Sequence, residues 1–179
     1  MKLNNILEFE GVKLFKRNVF KSEIGEFLNI YEDEFRDKEF IQDSISINYE
    51  IGTIRGLHLQ LGDFAQGKLV TCIAGSIVDF FVDLRKDSKN FCKYSSINLD
   101  SSAPASLWLP RGFAHGYITL EKNTIVSYKL DNFYKPEFER TIIWNDNSLK
   151  IEWPKMKNYY LSDKDKKGKS INDIMEELI

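Results

Sequence analysis

A succession of short apolar segments between residues 41 and 128 constrains the fold more than any other feature of this sequence. Gly, Pro, Asn or Asp residues separate the segments at intervals of roughly 8–12 residues, as is typical of β-sandwiches and barrels. The clearest segments cover residues 70–74, 77–84, 94–99, 105–109, 116–120 and 124–129. The sequence therefore predicts a mainly β fold.

Local signals add three finer predictions. The interruption Ala74-Gly75-Ser76 between two apolar runs predicts a β-hairpin. Residues 31–37 predict a short helix that flanks the strands. Ser170, followed three residues later by Asp173, predicts the capped start of a C-terminal helix over residues 170–179, whose apolar positions recur with helical spacing.

Composition limits the classes of protein to consider. The 179 residues fit one domain, residues 1–179, and 13% aromatic residues exclude global disorder. A net charge of −2 gives no basic field for nucleic acid or anionic lipid. The N-terminus lacks an uninterrupted apolar stretch, and no window could span a membrane. Cys72 and Cys92 form no CxxC motif, so we expect a cytoplasmic protein with free thiols.

The chain has two histidines, His58 and His115, and each lies in an apolar segment that contains glycine. A single histidine in such a segment is most often a hydrogen-bonded core residue. Metal binding is the weaker alternative, because a β-barrel metal site needs three or more ligands and no His-x-His pair is present. Tyr128 lies near the end of another predicted strand.

Two cations lie close to these histidines in the sequence. Lys68 directly precedes an apolar strand, where an ammonium group is expected to extend to the surface or serve a site. Strand alternation places His58 and Gln60 on one face and Arg55 on the other, unless a bulge at Gly56 turns Arg55 around. A β-pocket that holds His, Lys, Arg and Tyr suits an anionic substrate and proton transfer.

Eight motifs occur in one order between about Gly11 and Asp165. They are Arg55-Gly-Leu-His58-Leu-Gln60, Gln66-Gly-Lys68-Leu-Val70, Val82-Asp-Leu-Arg-Lys-Asp-Ser88, Leu109-Pro-Arg-Gly-Phe-Ala-His115-Gly, Tyr128-Lys129, Ile143-Trp-Asn-Asp146, Ile151-Glu-Trp-Pro154 and Leu161-Ser-Asp-Lys-Asp165. In this order the chain resembles the dTDP-4-dehydrorhamnose 3,5-epimerase family. Each motif is weak alone, but eight in register are a specific signal.

The resemblance implies a cupin-type jelly-roll β-sandwich with short flanking helices. It also implies an isomerase that needs no cofactor and no metal, and that forms a homodimer. The substrate would be a nucleotide-diphosphate sugar with a ketone at C4. Because C3 and C5 flank that ketone, removal of either hydrogen gives an enolate, and a proton returned to the other face inverts the carbon.

The resemblance also assigns roles by motif position. His58 would be the base, with Asp165 as the carboxylate that orients it and Asp163 as the neighbouring alternative. Lys68 would stabilise the enolate oxygen, and Tyr128 would return the proton. The substrate-binding positions would be Asn29, Gln42, Ser44, Arg55, Gln60, His115, Tyr134, Glu139 and Lys164. Among these, Tyr134 corresponds to the aromatic residue that stacks on the nucleobase.

Several positions depart from the family pattern. Ile24 stands where arginine is usual, Asn29 where glutamate is usual and Ser44 where asparagine is usual, and a residue is inserted between Ser46 and Arg55. The missing arginine removes a charge-assisted contact to the diphosphate. The proton-transfer positions are intact, so these departures bear on which nucleotide and which sugar the chain accepts.

Three alternatives stay open at this level. An epimerase acting at C3 or C5 alone would use the same base and acid. A sugar-nucleotide-binding protein without activity would be expected to have lost the proton-transfer set, which is present here. A metal-dependent cupin oxygenase would contain stoichiometric metal, which two isolated histidines do not favour.

Overall fold

Thirteen strands and two short α-helices form the regular structure of the described residues, 8–32 and 35–178, in this computed structural model. The strands are β1 (Lys13–Lys16), β2 (Val19–Ser22), β3 (Gly25–Leu28), β4 (Gln42–Asn48), β5 (Thr53–Gln60), β6 (Lys68–Ala74), β7 (Ser76–Asp83), β8 (Tyr94–Asp100), β9 (Ala105–Leu109), β10 (Phe113–Thr119), β11 (Thr124–Leu130), β12 (Glu139–Thr141) and β13 (Tyr160–Leu161). The helices are α1 (Asp163–Lys166) and α2 (Ile171–Ile174), with 3-10 turns at Gly62–Phe64, Pro136–Phe138 and Met175–Leu178. The prediction of a mainly β chain is confirmed.

Two antiparallel sheets form a cupin-type jelly-roll sandwich. One has five strands in the order β1-β9-β6-β11-β4, and the other has the order β12-β5-β10-β7-β8, with β13 joined to β5 in parallel. Strands β2 and β3 form a separate hairpin. The facing surfaces of the two sheets enclose both an apolar core and the polar pocket described below.

Strand β7 is buried along its whole length because both of its faces are covered. Ile77 and Phe81 pack in the core between the sheets, whereas Phe80 and Val82 pack on the opposite face. That opposite face is covered by the C-terminal segment, including α2. The fold therefore has three layers, with the six-stranded sheet in the middle.

The hairpin predicted at Gly75-Ser76 is wrong. Strand β6 pairs with β9 and β11, while β7 pairs with β8 and β10, so the chain passes from one sheet to the other at Gly75. Gly75 has a φ of 76°, a conformation that glycine adopts without strain. The turn signal was local, whereas the pairing is decided by the neighbours that bury both faces of each strand.

The predicted C-terminal helix is confirmed and begins with a capping box. Ser170 accepts from the backbone N–H of Asp173, and the Asp173 carboxylate accepts from Ser170 N–H. Asp146, in the Ile143-Trp-Asn-Asp146 motif, accepts from the backbone N–H of Ile171 at 2.8 Å. This motif therefore anchors α2 to the body of the sandwich.

Other predictions have mixed outcomes. Cys72 and Cys92 are free thiols, as expected. The short helix predicted over residues 31–37 includes residues 33 and 34, which lie outside the described residues. In the part of the chain that the structure describes, no helix has the length and apolar character needed to cross a membrane.

Candidate functional site

A polar pocket of about 140 Å³ opens between the two sheets. Strands β4, β5, β6, β10, β11 and β12 contribute to its wall, together with one residue from the loop before β6. The lining residues are Ser44, Arg55, His58, Gln66, Lys68, His115, Tyr117, Tyr128, Leu130 and Glu139. Seven of the positions predicted from the sequence thus share one cavity.

His58 is held by a carboxylate that is distant in the sequence. Its Nε2 lies 2.6 Å from Oδ1 of Asp165, which is buried in α1. The same carboxylate accepts from the Gly56 backbone N–H at 3.2 Å and from the Ser162 hydroxyl at 2.6 Å. Asp163, the alternative, is exposed and pairs with Lys166. Asp165 is therefore the carboxylate in contact with His58.

The His58–Asp165 pair has a defined charge state near neutral pH. Burial lowers the pKa of His58, although the hydrogen bond and the charge of Asp165 oppose this shift. Burial acts to raise the pKa of Asp165, but the hydrogen bonds from His58 and Ser162 outweigh it and lower that pKa. An ionised Asp165 accepts from Nε2–H of a neutral His58, which leaves Nδ1 able to take up a proton.

Lys68 lies at the start of β6 beside this pair. Its Nζ donates to the backbone carbonyl of His58 at 3.0 Å. Burial lowers the pKa of Lys68 to about 8, while the negative charges of Glu139 and Asp79 oppose the shift. The ammonium form therefore persists at pH 7, in a wall of the pocket where little water screens its charge.

A second histidine–carboxylate pair lies deeper in the pocket. His115 Nε2 is 2.7 Å from Oδ2 of Asp79, and both side chains are buried. Burial raises the pKa of Asp79, against the lowering effect of His115. Sequence reasoning missed Asp79, although a carboxylate inside an otherwise apolar strand, β7, was the available signal.

Tyr128 faces this second pair across the pocket. Its ring centroid is 6.1 Å from that of His115 and 6.4 Å from that of Tyr117. Burial raises the pKa of Tyr128 well above its usual value, and the adjacent Tyr117 adds to the effect. Tyr128 is therefore protonated throughout the neutral range and has a proton to donate. Tyr117 is a further pocket residue that the sequence did not indicate.

The predicted alternative of a bulge at Gly56 is the one found. His115 lies opposite His58 and Tyr117 opposite Arg55, so β5 carries one more residue than β10 over this stretch. Gly56 has a φ of 103°, and a Cβ there would lie 2.5 Å from the His115 carbonyl oxygen. The extra residue turns Arg55 into the pocket, where its Nε donates to Asn48.

Five predicted residues form a connected rim at the mouth of the pocket, and two of them, Ser44 and Glu139, also line it. Glu139 accepts from Lys164 Nζ at 2.9 Å and from the Tyr134 hydroxyl at 2.9 Å. Gln42 accepts from the Tyr134 backbone N–H at 3.1 Å and donates to the Ser44 hydroxyl at 3.3 Å. The Tyr134 side chain is exposed, so its ring can be reached by a ligand that extends out of the pocket.

Two predicted residues lie away from the pocket wall. Gln60 is buried, and its amide bonds to the backbone of Phe64, Phe133 and Lys135. It therefore fixes the two loops beside the site. Asn29 is exposed after β3 and donates to Glu32. Ile24, in the turn between β2 and β3, is 99% exposed.

Comparison with known proteins gives a consistent family. A family model described as dTDP-4-dehydrorhamnose 3,5-epimerase matches residues 6–173. The chain is 41% identical to the enzyme of that name from Shigella flexneri, covering 93% of this chain and 94% of that protein. It is 40% identical to the one from Sinorhizobium fredii, covering 94% and 89%.

A solved structure extends the comparison to three dimensions. The dTDP-6-deoxy-D-glucose-3,5-epimerase of Legionella pneumophila, in complex with dTDP-4-keto-L-rhamnose, superposes with a TM-score of 0.89 at 32% identity. The alignment covers 96% of this chain and 93% of that one. Fold and site together define a cupin-type isomerase. The chain belongs to the dTDP-4-dehydrorhamnose 3,5-epimerase family.

Proposed function

We propose that this chain inverts both C3 and C5 of a dTDP-linked 4-keto-6-deoxy sugar without a cofactor. The observation that carries the proposal is the joint presence of His58, Lys68 and Tyr128 in one small pocket. These are a base, a cation and an acid, the three groups that inversion next to a ketone requires. The ligand named for the Legionella pneumophila relative, dTDP-4-keto-L-rhamnose, has the same chemistry.

In the proposed first step, His58 removes the hydrogen from C3 or C5. The electron pair of the C–H bond moves toward the C4 carbonyl and gives an enolate. Asp165 contacts the imidazole at 2.6 Å and stabilises the imidazolium that forms. Asp165 is therefore a positioning residue in this scheme, and His58 is the catalytic base.

In the second step, Lys68 and Tyr128 act on the enolate. The Lys68 ammonium stabilises the negative charge on the C4 oxygen, an effect that is strong in a pocket of low dielectric. Tyr128 gives its phenolic proton to the carbon from the face opposite the base, which inverts the centre. Tyr128 is left as a phenolate and His58 as an imidazolium.

The rim of the pocket suits the nucleotide part of the substrate. The exposed ring of Tyr134 can stack on a base, and Lys164 and Arg55 supply cations toward a diphosphate. His115 and Gln42 offer further polar contacts. Exposed Ile24 and Asn29 supply no cation, so Arg55 and Lys164 would take a larger share of the phosphate charge.

A deuterium wash-in experiment tests the proposal. The protein is incubated in heavy water with dTDP-4-keto-6-deoxyglucose, and NMR follows C3 and C5. We expect label at both carbons, and none with His58→Ala. Label at one carbon would identify a mono-epimerase. Label with GDP- or CDP-linked sugars alone would reassign the nucleotide, and no label with any of them would favour a non-catalytic binding protein.

We also infer that the chain forms a homodimer through the outer face of β4. Ile45 and Ile47 of this strand, and Tyr49 directly after it, alternate with exposures of 68%, 52% and 70%. Ile73 of β6 is a further exposed apolar residue on the five-stranded sheet. A contiguous apolar row on an edge strand is typical of a protein interface. A second copy of the chain is the partner that the family resemblance implies.

A further inference from the structure

The proposed double inversion imposes a requirement on the proton-transfer groups, and the inference below rests on that proposed function. In a gluco-configured 4-keto sugar, the hydrogens at C3 and C5 are axial on the same face. Both are therefore removed by His58 and replaced from the side of Tyr128. After the first inversion His58 carries an extra proton and Tyr128 has lost one, so both must be restored before the second.

Tyr117 is the hydroxyl-bearing neighbour of Tyr128. It lies on β10, is 1% exposed and lines the pocket. The two rings are tilted by 33° with centroids 6.4 Å apart. Burial is the main cause of the high pKa of Tyr128, and the next two causes are the charge of Tyr117 and hydrogen bonding with it. Both phenols line the same pocket on neighbouring positions, so Tyr117 is the phenol next to Tyr128 from which a proton could come.

Hydrogen bonds continue from Tyr117 toward the edge of the sandwich. Its hydroxyl donates to Ser46 Oγ at 2.9 Å. Asn48 fixes the geometry, because its Nδ2 donates to the Tyr117 oxygen at 3.1 Å and its Oδ1 accepts from Arg55 Nε at 3.1 Å. The Tyr117 hydroxyl thus donates a hydrogen bond to Ser46 and accepts one from Asn48.

Ser46 places the end of this hydrogen-bonded path near solvent. It is partly exposed on β4, which among the described residues pairs with β11 alone and so forms an edge of its sheet. Strand alternation directs Ser46 inward, on the side opposite Ile45 and Ile47. A dimer contact on the outer face of β4 would therefore not cover the Ser46 hydroxyl, which points toward the space between the two sheets.

We propose that Tyr117 is a proton-relay residue that returns a proton to Tyr128 between the two inversions. The O–H bond of Tyr117 breaks as that of the Tyr128 phenolate forms, and Ser46 then gives its proton to Tyr117. Water supplies the proton that Ser46 loses. The hydroxide that remains is neutralised by the proton that His58 releases to solvent, so the cycle leaves no net charge.

The other charged groups near Tyr128 suit this role less well. Arg55 carries a guanidinium, a cation that does not serve as a proton source in proteins. His115 Nε2 and the Asp79 carboxylate are engaged with each other at 2.7 Å. Bound sugar displaces water from the pocket, so direct reprotonation from bulk solvent is restricted at the moment when the relay is needed.

The test compares Tyr117→Phe with the matched control Tyr94→Phe. Tyr94 lies on β8 and its hydroxyl accepts from the Glu152 backbone N–H, away from the pocket. In heavy water with dTDP-4-keto-6-deoxyglucose, mass spectrometry and NMR resolve singly and doubly inverted sugar over time. For Tyr117→Phe we expect a nearly unchanged first inversion and a second one slowed by about tenfold or more, on the scale of general acid contributions. Singly labelled sugar then accumulates.

Ser46→Ala is a second variant with the same expected direction, since it interrupts the path without altering either phenol. Tyr94→Phe should keep the wild-type ratio of singly to doubly labelled sugar. An unchanged ratio in Tyr117→Phe, or equal slowing of both inversions, would overturn the relay. Wild-type protein that labels one carbon or none would instead refute the proposed double inversion, a result seen before any variant is made.

Discussion

Lys68 combines a position in the pocket wall with a pKa that burial brings close to neutrality. Burial lowers that pKa to about 8. The ammonium form is present below this value and is lost as the pH rises through it. We therefore expect the rate of deuterium wash-in to fall above about pH 8, and Lys68→Arg to remove this decline because a guanidinium stays charged. An alkaline limb at the same pH in both proteins would contradict the assignment.

His58 and its carboxylate give a second prediction for a single residue. Asp165→Asn keeps the shape of the side chain but removes the charge that favours protonated His58. We expect the wash-in rate to fall by up to roughly 10²–10⁴-fold, the range for a general base such as His58, because Asp165 positions that base. NMR titration should also show the pKa of His58 lowered further, because the charge and hydrogen bond of Asp165 raise it in the wild type.

Asp163→Asn is the matched control for this substitution. Asp163 lies in the same helix, but it is exposed and contacts Lys166 rather than the imidazole. The wash-in rate of Asp163→Asn and the pKa of its His58 should match those of the wild type. A comparable loss in both variants would mean that the local acidic charge, and not contact with His58, supports the reaction.

At the scale of the element, the bulge in β5 decides which side chains reach the pocket. Gly56→Ala should destabilise the fold, since its Cβ would lie 2.5 Å from the His115 carbonyl oxygen at a φ of 103°. Gly62→Ala is the control, with a φ of 58° but nothing within 4 Å of the new methyl. We expect Gly56→Ala to lose about 1–3 kcal/mol more in the free energy of unfolding, measured with urea.

Activity shows whether Gly56→Ala disturbs the site in addition to lowering stability. Gly56 also donates its backbone N–H to Asp165, so a shifted backbone disturbs the His58 pair as well as Arg55. Wash-in should therefore fall in Gly56→Ala and stay near the wild-type rate in Gly62→Ala. Equal stability of the two variants would show that β5 can relax around the added methyl.

At the scale of the whole molecule, the exposed apolar face of β4 predicts the oligomeric state. Sedimentation equilibrium should give a mass of twice 20.9 kDa for the wild type. Ile47→Lys places a charge in the apolar row and should shift the equilibrium to monomer. Phe20→Lys, at a 59% exposed position on β2, is the control and should remain dimeric. A monomeric wild type would refute the interface.

The sequence by itself determined the features that depend on neighbouring residues. The spacing of apolar segments determined the mainly β class, because each strand needs a face to bury and a turn to end it. Ser170 and Asp173 determined the start of the C-terminal helix, since a cap needs residues three positions apart. The order of eight motifs indicated the family, which the comparisons confirm.

Tertiary structure decided the features that join distant parts of the chain. It placed β6 and β7 in different sheets, because burial on both faces, and not the turn at Gly75, selects strand partners. It brought Asp165, the carboxylate that the motif resemblance had assigned, and not Asp163, to His58 across 107 positions in the sequence. It also placed Tyr117 next to Tyr128, since inward-facing side chains of two packed sheets meet in the space between them. No local pattern encodes these contacts.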